Sequence, residues 1–331
     1  HYDIEFGRIG IDKDNFLTAV MDAFLMDSPP SKLYIALREI ALLADLQDDL
    51  LVGEFLDLQG PEVPNKFKIP EPVAKGQVNY YRKWINDSLL FVDTHYSKQD
   101  IQAGPISYIL LSTLFKIEKI IMQKGFIQHS IRKAHSSFFT KDQSDTVEKN
   151  YALHKKLKML NNLSDQEINR ELYRAAYTFS EKNPIDFQIF NSFLDSEIGN
   201  LEYYYSQSPG ELVFYVADYI IGSLQYNYAF PPLLDKLFYL YYRVLNPGYF
   251  TMYSNTPALV SNQIPDRKKI IAEIELLFNQ HAKYFPNLAL DQKQLEFKNS
   301  RDFAFSFIIL LNNLNFENTL PTRSILTDVI I

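Results

Sequence analysis

Apolar residues recur at spacings of three and four along most of this chain, the period of helices that bury one face. The opening is different: Tyr2-Asp-Ile-Glu-Phe6 alternates with period two and ends at Gly7, which predicts a short strand over 2–6. From Asn15 the period changes, and Phe16, Val20, Ala23 and Phe24 predict a helix. Ser28-Pro29-Pro30 ends that helix and starts the next, with Ser as N-cap and Pro in the first turn. Leu33, Leu37, Ile40, Ala41 and Ala44 form the stripe of the second helix, and a third follows over residues 48–58. Between Gln59 and Pro72 four prolines forbid regular helix and predict an extended excursion. Helix resumes near Gly76 with Tyr80, Tyr81, Trp84, Ile85 and Leu89.

From Pro105 to Lys124 the positions Ile109, Leu110, Thr113, Leu114, Ile117, Ile120 and Ile121 cover a wide face, so this segment is expected to be a central, buried helix. Ser164 with Glu167, and Ser208 with Glu211, have the spacing of capping boxes and mark two helix starts. Asn183-Pro184 is expected to open a helix carrying Ile185, Ile189, Phe190, Phe193, Leu194 and Ile198, and residues 231–245 and 266–283 supply two more. No self-similarity near the period of stacked helix pairs, about 34 residues, is present. The expected fold is mainly α: an irregular multi-helix array over 1–284, with strands confined to the two ends of the chain.

Composition removes several function classes. There is no cysteine, so the chain has no disulfide, thiolate metal site or dithiol chemistry of its own. A net charge of -7 provides no field for collecting nucleic acid. Arg38, Lys116, Glu118, Lys236 and Arg243 interrupt the most apolar stretches, so none reaches the roughly 18 to 20 uncharged residues of a membrane span. The linear signatures of zincins, serine hydrolases, P-loops and dinucleotide folds do not occur.

Three clusters could carry chemistry. Asp45, Asp48, Asp49 and Glu54 form the densest acidic group; an aspartate-rich helix can hold Mg²⁺ against a diphosphate, and the ordinary alternative is a helix end followed by an acidic first turn. The nearest facing partners for a metal are Asn191 and Asp195. His129, Arg132, Lys133 and His135 could form an anion-binding face, because Arg132 and His135 share one side of a helix; His154 and its lysine neighbours read as a solvated basic face. Tyrosines cluster at Tyr203, Tyr204 and Tyr205 and again at Tyr226 and Tyr228. Such rings suit interfaces and sugar grooves, and equally a tyrosine-rich core, but three in a row cannot all face one core.

The composition shifts at Phe285-Pro286. Residues 287–297 predict a strand, a turn and a strand, and Phe303 to Leu311 is a nine-residue apolar run of the kind that makes a strand covered on both faces. Phe285-Pro-Asn-Leu-Ala-Leu290, the run from Phe305 to Leu311, and Pro321 resemble the start of a TlpA-type thioredoxin-like domain. Counting back from Pro321 puts the two active-site cysteine positions of that family at Asn313 and Phe316, so the resemblance implies a degenerate site without thiol redox activity. The helical region in front, in the style of Asn79 to Asp87, resembles the one that precedes this domain in some bacterial envelope lipoproteins. The resemblance implies a partial thioredoxin-like segment over 285–331 and a place in the periplasm or cell envelope.

These readings give a non-catalytic interaction or scaffold protein of an envelope assembly. It would dock another protein, within a membrane-associated complex, through its tyrosine-rich surface and the 59–72 excursion, and no cofactor is implied. The rival class is an all-α enzyme or GTPase regulator working through the acidic cluster or Arg132, with a cytoplasmic or secreted effector as the alternative location.

Overall fold

The computed structural model describes residues 6–22, 29–55, 66–95, 103–121, 124–175, 182–206, 210–253, 257–285, 287–289 and 291–315. Two helices, α3 (Ala103–Lys116) and α8 (Leu212–Asn227), lie at the centre, since both are apolar on nearly all sides and can be satisfied only by neighbours all round. Ile109, Leu110 and Leu114 of α3 and Val213, Ala217, Ile220 and Ile221 of α8 are excluded from solvent. The two backbones approach closely at Gly222, where a Cβ would stand 2.6 Å from the Cβ of Phe115.

Around this pair pack α2 (Glu71–His95), α5 (Thr146–Asn161), α7 (Phe187–Ser206) and α12 (Ser300–Asn313). Next come α9 (Pro232–Leu245), the short α10 (Pro247–Phe250) and α11 (Arg267–His281). The outer layer holds α1 (Pro30–Glu54), α4 (Gly125–Phe139) and the short α6 (Asp165–Arg170). The fold is mainly helical, and no described helix is long and apolar enough to cross a membrane.

The expected central helix is present and buried at every position named for it, but its last turn widens into a π-helix at Ile117–Ile121. Widening frees carbonyls from the regular ladder. Tyr249 donates its hydroxyl to the Ile120 carbonyl at 2.9 Å, and the Gln77 amide donates to that of Ile121 at 3.4 Å.

Elsewhere the chain departs from its pattern for local reasons. The strand placed at 2–6 lies almost wholly outside the described residues; strands instead run over Gly7–Ile11 (β1) and Leu17–Met21 (β2), paired antiparallel, and replace the helix expected from Asn15. The turn explains it: Asn15 takes a left-handed φ of 64°, and Asp12 accepts backbone hydrogen bonds from Asp14 and Phe16 at 2.9 and 2.8 Å. No residue between Ala44 and Asp48 breaks a helix, so α1 runs unbroken where two helices were expected. Residues 59–65 of the expected proline-rich excursion lie outside the described residues, and α2 already begins at Glu71, because Pro72 falls in its first turn, where a missing N–H costs nothing.

The capping box at Ser164 forms as expected, and an unforeseen one forms at Asp145 with Glu148. The box expected at Ser208 lies outside the described residues, and α8 begins one residue after Glu211. Strands are not confined to the chain ends: Lys66–Lys68 (β3) pairs with Tyr173–Ala175 (β4), and Asn183–Pro184 (β5) pairs in parallel with Tyr228–Ala229 (β6). A further small hairpin joins Val260–Ser261 (β7) to Ile264–Pro265 (β8). The pairing of β5 also delays α7 to Phe187.

The largest correction concerns 285–315. Residues 303–311 form most of α12, and the described residues of 287–297 contain a single 3-10 turn, Gln292–Gln294, and no strand. Asn299 caps α12 by accepting from the Asp302 N–H at 2.9 Å. Its apolar run is buried against α7, α8 and α9, with Phe307 5.4 Å from Tyr241. A helix enclosed on all sides reads in sequence like a strand covered on both faces, so periodicity could not separate them. Asn313 is thus the last residue of α12 rather than a strand-to-helix turn, while Phe316 and Pro321 lie outside the described residues.

Candidate functional site

Four elements converge on one open cleft of about 620 Å³. The α2 helix contributes Tyr80, Lys83, Trp84, Asp87 and Phe91, whose spacing of three and four places them along one side. The α8 helix brings Phe214, Tyr215 and Asp218, and α3 ends in the cleft with Lys116. The corner between α9 and α10, Asn246 to Gly248, closes one end. The Tyr80 hydroxyl lies over this corner, and a Cβ at Gly248 would stand 2.3 Å from its oxygen, so a larger residue would displace the end of that ring.

The floor is an ion pair between the Lys116 ammonium and the Asp218 carboxylate, whose side chains are 14% and 4% exposed. The second oxygen of Asp218 accepts a hydrogen bond from the Tyr241 hydroxyl at 2.9 Å. Lys116 also stands 5.6 Å from the centre of the Trp84 ring, within cation–π range. Trp84 is held by Tyr249 at 5.3 Å and Tyr80 at 5.7 Å, and Tyr249 is the residue that satisfies the π turn. The widened end of α3 and the back wall of the cleft are therefore one network.

The rim carries more charge. Lys83 pairs with Asp87, and Glu211 stands exposed across the cleft. Tyr215 lies between them, 5.2 Å from Phe91. Burial pushes its hydroxyl above the ordinary tyrosine range, and the negative charges of Asp87, Asp218 and Glu211 raise it further.

Of the tyrosines expected to form a docking surface, only Tyr203 is exposed and the others are half-buried. Tyr203 is 51% exposed, as three consecutive tyrosines require, but Tyr204 packs on Tyr108 at 6.0 Å, and Tyr205 stacks on Phe305 at 4.3 Å while donating to Asp302 at 2.7 Å. Tyr226 lies against His135 at 4.1 Å and Phe115 at 5.2 Å, and Tyr228 sits half-buried in β6. The two groups flank opposite ends of α8, about 22 Å apart at 1.5 Å per residue. Between them Tyr108, Tyr219 and Phe115 complete an internal ladder of rings.

The anion-binding face is altered in the same way. His135 is stacked inside that ladder, and burial pushes its imidazole down to about 4, so it is neutral at pH 7. His129 is depressed by burial and by the charges of Lys133 and Arg132, and Arg132 is half-buried on α4. The acidic cluster lies in the last turns of α1, with Asp45 half-buried and Glu54 exposed; the side chains of Asp48 and Asp49 lie outside the described ones. No three His, Asp or Glu side chains gather to hold a metal among the described residues, and Asp195 accepts a hydrogen bond from Asn312 at 3.0 Å.

Lys116, Asp218, Tyr215 and Glu211 were missed as site residues. The available signal was a charge inside each of two apolar helical runs. Comparison of the chain with family models, with curated proteins and with solved structures finds no match.

Proposed function

We propose that this is a non-catalytic recognition protein that receives an extended segment of a partner protein in the cleft between α2 and α8. The observation that carries the reading is the state of the cleft's buried charges. Lys116 and Asp218 neutralise each other and Tyr241 takes the remaining carboxylate oxygen, so neither group is left free to transfer a proton or attack a substrate. What remains available is aromatic surface and a charged rim, the ingredients of binding. From Tyr80 to Phe91 the α2 wall spans about 16 Å at 1.5 Å per residue, room for about five residues of extended chain. Placement in the cell envelope rests on the resemblance of the tail, which lacks its strand here, and forms no part of this support.

The chain holds one tryptophan, Trp84, at the cleft floor, which makes its fluorescence a local reporter. Peptides selected from a randomised heptapeptide library should change Trp84 emission on binding and should lose affinity to Phe214→Ala. If selected peptides bind without altering Trp84 and ignore that substitution, the cleft is not the recognition site.

A further inference from the structure

Resting on that cleft reading, we propose that the segment it accepts carries a basic side chain, lysine or arginine, seated against the rings of Phe91 and Tyr215 between the carboxylates of Asp87 and Glu211. Charge complementarity selects this occupant. The cleft is lined by two lysines, three carboxylates and the His95 ring, and both lysines are already committed, Lys83 to Asp87 and Lys116 to Asp218. Glu211 forms no ion pair among the described residues, and Asp87 keeps its second oxygen clear of Lys83. The surplus is one negative charge at the mouth.

The rings suit the same guest. Phe91 and Tyr215 stand 5.2 Å apart with their planes at 53°, and His95 packs on Phe91 at 4.3 Å, a cluster of rings against which a guanidinium or ammonium group can lie. A cation within about 6 Å of such rings is attracted by their negative faces. Burial accounts for most of the rise in the Tyr215 hydroxyl, and Asp87, Asp218 and Glu211 lie close enough to add to it. An acidic segment would meet those carboxylates head on. A neutral oligosaccharide would find the rings but leave the surplus charge unanswered, and it is the rival outcome.

The test uses the full chain and three end-blocked pentapeptides, Ala-Leu-X-Leu-Ala with X as arginine, citrulline or glutamate, read by Trp84 fluorescence. Citrulline keeps the shape of arginine and removes the charge. The arginine peptide should bind about 10-fold more tightly than the citrulline peptide, and the gap should close as salt is raised to about 0.5 M. In Asp87→Asn/Glu211→Gln, where Lys83 is left unopposed, the preference should shrink to less than about 3-fold and the glutamate peptide should gain. Asp87 is 50% exposed and Glu211 is on the surface, so the urea midpoint should confirm that this double variant folds. Equal binding of the arginine and citrulline peptides, with Trp84 responding to both, overturns the charge inference and leaves the cleft reading standing. If none of these peptides and no library peptide perturbs Trp84, while maltohexaose does, both fall.

Discussion

Breaking the ion pair under the cleft is expected to be costly from either side. Lys116→Met leaves the Asp218 carboxylate 4% exposed with only the Tyr241 hydroxyl to stabilise its charge. Removing one partner of a buried pair typically costs about 3–5 kcal/mol, and this substitution should fall in that range. Asp218→Leu leaves an ammonium that is 14% exposed, faces the water of the cleft and keeps its contact with Trp84. A cation–π contact recovers about 0.5–2 kcal/mol, but Asp218→Leu also leaves the buried Tyr241 hydroxyl unpaired at about 1–3 kcal/mol, so the net loss should again be about 3–5 kcal/mol. The double variant Lys116→Met/Asp218→Leu removes both charges and should be more stable than either single change. It should still lie below the wild type by about 1–3 kcal/mol, the cost of leaving the Tyr241 hydroxyl unpaired. Adding Tyr241→Phe should recover most of that.

Urea unfolding at pH 7 measures each step from the midpoint at constant slope. The coupling from the double-mutant cycle should exceed about 1.5 kcal/mol. If the two single effects add within about 0.5 kcal/mol, the residues act independently and the description of the floor is wrong.

Gly222→Ala should destabilise by about 1–3 kcal/mol, because the new methyl meets the Phe115 Cβ, which cannot swing aside; a calorimetric melt that does not move would show that α3 and α8 are less tightly packed than described. Tyr249→Phe should cost about 1–3 kcal/mol by stranding the Ile120 carbonyl of the π turn, and it should leave Trp84 emission nearly unchanged because the ring that packs on the indole remains; an unchanged urea midpoint would show that the hydroxyl does not support the turn. Stability should fall as pH drops from 6.5 towards 4, because the unfolded chain takes up a proton at His135 that the folded chain refuses until pH is about 4. His135→Phe, which keeps the ring in the ladder, should flatten that acid limb when urea midpoints at pH 7 and 4.5 are compared, and an unchanged limb would assign the loss to other groups.

Spacing alone identified which residues of α3 are buried, since a wide apolar face admits few other environments, and it located α9 and α11 to within a few residues. It failed where one local interaction decided the backbone. The left-handed Asn15 converts an expected helix into a hairpin, and complete enclosure makes α12 read as a strand. The tyrosines were ambiguous for a related reason: several helix interfaces are lined with rings, and an internal ladder has the same composition as a docking surface.

The cleft was less legible because adjacency between distant helices has no period. Part of it nevertheless follows from the cost of burying charge. Lys116 ends an apolar run on α3, and Asp218 sits within the buried stripe of α8. An unpaired charge at either place is too costly to persist, so each must find an opposite charge in the interior. The rule stops there, because Arg243 lies in the buried stripe of α9 and would satisfy Asp218 equally well. The fold breaks the tie by placing Arg243 against Glu273 of α11 and the Pro257 carbonyl, which leaves Lys116 for Asp218. That choice puts the Lys116–Asp218 pair under an open cleft, with α2 and its single tryptophan beside it.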